Sequence, residues 1–90
     1  MENQSITPFE IGKAYFLRTV TYHLIGQLKE IKGDFLVLEN ASWIADSGRF
    51  TQAIQEGKLD EVELVGDAFV NITTVTDAFP WTHPLPDKQS

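Results

Sequence analysis

Cysteine is absent from this 90-residue chain. Disulfides and thiolate metal sites, two common staples of small domains, are therefore excluded. No apolar run approaches the roughly 20 residues of a membrane-spanning helix. The N-terminus, MENQSITPFEIGK, lacks a basic start followed by an apolar stretch, so no signal peptide is expected and the chain reads as soluble and cytoplasmic. Three of the four prolines lie in the final PWTHPLPDKQS, which is expected to be extended and non-helical. Positive charge is also scarce: the net charge is −6. Through Gly33 there are four basic residues against three acidic, and from Asp34 onward three against ten. Such a balance repels phosphate backbones at long range and disfavours generic nucleic-acid binding. Arg18, Lys29 and Lys32 nevertheless leave a local basic edge.

What is present is apolar patterning. Hydrophobic residues make up 42% of the chain, ordinary for a single folded domain. A domain of this size buries only about 60% of the surface its unfolded chain exposes. With disulfides and thiolate metals excluded, oligomerisation is the remaining way to add burial. Residues 1–11 read as a polar arm. From Ala14 the residues alternate: Phe16, Val20, Tyr22, Leu24, Gly26 and Leu28 share one parity, the period of a half-buried strand. The run from Ala14 to Ile31 exceeds an ordinary strand and has to turn or bend, with Gly26 the expected place. KGD at 32–34 is a tight-turn signal, and FLVLENA returns as the next strand.

The period changes after Ile44. Asp46 or Ser47 is the expected N-cap of a short helix over 47–56, in which Phe50, Ala53 and Ile54 fall on one face and Gly57 makes the stop. DEVELV and AFVNITTVTDAF are expected to be strands, with Gly66 and Asp67 turning between them. The fold class that follows is mainly β: one antiparallel domain with a short helix.

GKAYFLRTVTYHLIGQLKEIKGDFLVLENASWI, residues 12–44, resembles the first motif of the Sm and Sm-like (LSm) family. That motif has a glycine-lysine start, an apolar first strand and a bent second strand carrying gly-x-leu, which falls on Gly26 and Leu28. DAFVNITTVTDAF is similar to the second motif, and together the resemblance covers residues 12–44 and 68–80. It implies a five-stranded barrel that pairs edge to edge into a closed homo-oligomeric ring. It also raises RNA or single-stranded DNA as a partner. Departures from the family pattern are specific: Lys32 stands where an acidic residue is usual, and Phe35 and Leu36 where a uridine-contacting asparagine is. Asn71–Thr74 replace arg-gly, and a helix is inserted between the third and fourth strands. Small, acidic members of this kind resemble proteins of phages and marine metagenomes, which makes a virion-associated assembly protein without a nucleic-acid ligand the rival reading.

The residues expected to meet nucleic acid are Arg18, Tyr22, Lys29 and Lys32, by charge and stacking. Val70, Ile72, Trp43 and Trp81 are the expected oligomer contacts, because the last two strands are β-rich and the tryptophans lie just beyond strands. His23 and His83 lie far apart and lack recognisable ligand spacing, so no metal is expected. Glu61 and Glu63 alternate as a solvent-facing strand edge would, rather than as a catalytic carboxylate pair. No nucleophile motif, phosphate-cradling loop or dinucleotide fingerprint is present. Neither an enzyme, a cofactor nor a small-molecule substrate is expected.

Overall fold

The computed structural model describes residues 9–46, 49–59 and 61–87. Five strands form one sheet: β1 (Ala14–Thr19), β2 (His23–Lys32), β3 (Phe35–Asp46), β4 (Glu61–Asn71) and β5 (Val75–Pro80). One short helix, α1 (Phe50–Glu56), is inserted between β3 and β4, and a single 3-10 turn (Ile72–Thr74) joins β4 to β5. The expected mainly β domain with five antiparallel strands and one helix is present.

The strand order is β4-β3-β2-β1-β5, with every neighbouring pair antiparallel. β4 and β5 are therefore consecutive in the chain but lie at opposite edges of the sheet. Five flat strands would separate those edges by roughly 19 Å. One 3-10 turn, rising about 2 Å per residue, cannot span that distance. The sheet must curl. It remains open, because β4 and β5 form no ladder with each other among the described residues. The tertiary structure thus gives a curled open sheet where a hydrogen-bond-closed barrel was expected.

The curl is made by irregular register and close backbone approach. The β2–β3 pairing shifts between Ile25 and Gln27 and again between Leu28 and Glu30. Between these strands, a Cβ on Gly26 would lie 3.1 Å from the Cβ atoms of both Ala41 and Leu38. Glycine lets β2 and β3 approach there without pushing either side chain aside. The chain reversal expected near Gly26 occurs earlier, at Val20–Tyr22, where the Thr19 hydroxyl donates to the Tyr22 carbonyl and accepts from its N–H. Hydroxyl-to-backbone bonds of this kind make a turn without glycine. The turn expected at Gly66 and Asp67 is instead a bulge within a continuous β4, with Gly66 at φ +79° and the β3–β4 register shifting opposite it.

Helix α1 also begins later than expected. Its N-cap is Arg49, in extended conformation and without a side-chain cap; Asp46 ends β3, and Ser47 lies outside the described residues. Gly57 does terminate the helix, in the left-handed region at φ 73°, with its N–H donating to the Ala53 carbonyl.

Two apolar clusters cover the two faces of the sheet. Leu17, Leu24, Leu28, Leu36, Leu38, Ala41 and Val70 form the first, joined by Ala68, Val75 and Ala78 from the two edge strands. No residue of α1 or of the segment after β5 belongs to it, so the sheet buries it by folding over it, which makes this the concave side. Phe16, Ile25, Ile44, Val62 and Trp81 form the second, packed under Phe50 and Ile54 of α1 and Leu85 of the tail. Successive residues such as Phe16 and Leu17 are therefore both fully buried, on opposite faces. The half-buried strand expected from alternation is buried on both sides because α1 and residues 81–85 cover the outer face at this end.

Candidate functional site

The four residues expected to meet nucleic acid are distributed over three places. Arg18 is engaged within the fold. Its Nε and Nη2 donate to the two carboxylate oxygens of Asp77 at 2.6 and 2.5 Å, and its guanidinium lies 4.6 Å from the Phe50 ring centre and 5.6 Å from that of Phe79. The hydrogen bonds from Arg18 hold the Asp77 carboxyl below its ordinary range, and the Arg18 pKa is raised in return. An arginine held this way is a clamp between β1, β5 and α1 and not a free phosphate contact.

Tyr22 lies at the same end of the sheet, in the turn that pairs Arg18 with His23, but it is half-buried against the concave cluster on the opposite face. With Val20, His23, Trp43 and Ile44 it lines a cleft of about 320 Å³ below the β1–β2 turn. His23 packs against Phe16, and its pKa is lowered, first by burial and then by the Arg18 charge. Trp43 is partly exposed at this cleft.

Lys29 and Lys32 do come together. They border a cleft of about 530 Å³ with Phe35, Val37, Phe69 and the carboxylates Glu30 and Asp67. The strand register explains the grouping. Glu30, Val37 and Phe69 form one row across β2, β3 and β4, and Lys32, Phe35 and Asn71 form the next. These rows continue the outer face beyond the part that α1 and the tail cover. The result is a bare apolar strip in which Phe69 is 71% exposed and Phe35 45%. Lys32 is also paired with Glu30, at 3.7 Å. Phe69 is not among the residues expected at a site and Phe35 enters only as a departure from the family motif, although the shared parity of Phe35 with Val37 and of Phe69 with Asn71 is legible in the sequence. What was not available was that nothing in the described chain covers them.

The expected interface residues divide in the same way. Val70 and Trp81 are buried within their own chain, at 2% and 5% exposure. Val70 is on the concave face, whereas Trp81 extends the β1–β5 pairing through its N–H to the Ala14 carbonyl and seats its ring on Phe16. Ile72 is half-buried in the turn after β4, its N–H donating to the Asp34 carbonyl at 2.7 Å. His83 caps the outer layer, with Nε2 2.7 Å from the Ile54 carbonyl and its ring against Trp81. Glu61 and Glu63 are exposed on β4, an edge strand; Asp60 lies outside the described residues. Among the described residues, no three metal-ligating side chains converge, and no helix is long and apolar enough to cross a membrane.

Neither a protein-family model nor a curated protein matches the chain. Among the described residues, the fold offers two unlike open edges and one bare outer strip.

Proposed function

We propose that this domain is a ring-forming, Sm-like assembly module whose copies join head to tail, β4 of one pairing with β5 of the next. One observation carries the reading: a single curled sheet ends in two different edge strands, β4 and β5, neither of which has a ladder partner on its outer side among the described residues. Unpaired edges attract further strands. Self-pairing of β4 would set side by side two strands that each carry Glu61, Glu63 and Asp67, a concentration of like charge that disfavours the contact. β5 carries one carboxylate, Asp77, already neutralised by Arg18. The unlike edges are thus the compatible ones, and a heterologous contact closes into a ring or grows into a fibre.

A second reading adds single-stranded RNA or DNA as ligand, favoured by Lys29 and Lys32 flanking Phe35 on one surface. Without that ligand the module is an assembly or virion protein. Light scattering at micromolar concentration tests the main reading: a discrete mass several times 10.1 kDa is expected, and a monomer overturns it. A salt titration of oligonucleotide binding tests the second; binding that weakens steeply with salt supports it, and no binding at low salt removes it.

A further inference from the structure

We propose that the β4–β5 contact has a defined register, Phe69 of one copy opposite Phe79 of the next, and that α1 of that neighbour roofs the bare outer strip. This rests on the head-to-tail reading above and adds the residues that would specify it.

The faces of the two edges are known. On β4, Phe69 and Asn71 lie on the outer face, opposite Val37 and Phe35, and Asp67 lines the same cleft. Val70 lies on the concave face. On β5, Asp77 and Phe79 lie on the outer face, opposite Arg18 and Phe16, whereas Ala78 packs on the concave cluster. Directly opposed residues of an antiparallel pair share a face, so outer residues must meet outer residues. Three registers satisfy this near the middle of β5. One sets Asp67 against Asp77, two carboxylates. The next sets Phe69 against Asp77 and Asp67 against Phe79, an aromatic against a charge twice over. The third sets Phe69 against Phe79, Val70 against Ala78 and Asn71 against Asp77. Ring meets ring and apolar meets apolar. The Asn71 carbonyl oxygen already accepts from the Thr73 N–H and hydroxyl. Its amide nitrogen is therefore the end left to donate to the Asp77 carboxylate.

The helix follows from the same geometry. Phe50 of α1 stands 5.0 Å from Phe79, edge to face, so α1 lies over the outer side of the β5 edge. Paired strands are about 4.8 Å apart. Joining β5 to another copy's β4 therefore brings the Phe50–Phe79 cluster beside Phe69, the most exposed aromatic among the described residues. The inserted helix acts as a flap over the joint, and Phe69 completes an aromatic cluster that is three-quarters built in the neighbouring copy from Phe16, Phe50 and Phe79.

The cysteine-free chain makes cross-linking unambiguous. The double variant Phe69→Cys/Phe79→Cys is expected to give a ladder of covalent oligomers on mild oxidation, and Phe69→Cys/Thr76→Cys is not. Independently, Phe69→Ser should weaken association by about tenfold or more while leaving the far-UV spectrum unchanged, since the ring is exposed within one copy. Cross-linking by Phe69→Cys alone, or a ladder from the Thr76 pairing instead, overturns the register. So does a Phe69→Ser oligomer that associates as tightly as the parent. A monomeric parent overturns the assembly reading itself, an outcome distinct from a parent oligomer indifferent to Phe69.

Discussion

Arg18 on β1 and Asp77 on β5 are cross-strand partners joined by two hydrogen bonds, at 2.6 and 2.5 Å, against the rings of Phe50 and Phe79. This one pair ties the edge strand to its neighbour and the inserted helix to both. It also leaves this cation already paired within the fold. A guanidinium in a bidentate pair and stacked on an aromatic face is already satisfied.

Acid should loosen this corner in two steps. Burial and Arg18 lower the pKa of His23 below its ordinary 6.5, so the unfolded chain takes up a proton first and stability declines as pH falls from about 6.5 through the lower folded value. Asp77, held below its ordinary 3.8 by hydrogen bonds from Arg18, contributes stability that is present above that value and lost as pH falls through the folded one. Melting temperature followed by circular dichroism should decline from pH 7 to 5 and again below pH 4. His23→Gln should flatten the first decline and leave the second; an unchanged profile would contradict the role given to His23.

Gly26 should tolerate no branched side chain. A Cβ there would stand 3.1 Å from the Cβ atoms of Ala41 and Leu38, both buried. Gly26→Val is expected to destabilise by about 1–3 kcal/mol through overpacking, and Gly26→Ala by less. Urea denaturation measures both, and a valine variant as stable as the parent would refute the close approach of β2 and β3.

Ser42 offers the opposite opportunity. Its side chain is fully buried, and its hydroxyl has no hydrogen-bond partner among the described residues. An unsatisfied buried hydroxyl is costly, so Ser42→Ala should stabilise the fold by roughly 1 kcal/mol in the same denaturation experiment. A loss of stability would show that the hydroxyl is bonded in solution.

Most of the strands were legible in the sequence because alternation is a local property, written in residues one and two apart. So was the short helix after Ile44 with its stop at Gly57, and so was the need for a glycine at position 26. The N-cap falls at Arg49 and not at Asp46 or Ser47, and Gly66 makes a bulge where a turn is expected, because glycine serves turns and bulges alike and opposing β3 decides between them. The candidate site was less legible for a related reason. Whether a cation is free depends on its partner, and Arg18 finds Asp77 59 residues away. Whether an aromatic is exposed depends on what covers its face: α1 and residues 81–85 bury Phe16 and Trp81 but stop short of Phe35 and Phe69. The sequence by itself determined a β-rich chain with one helix and too little core to spare. Tertiary structure alone decided which edges stayed open and which charges were already spoken for, because both depend on contacts between residues distant in the chain.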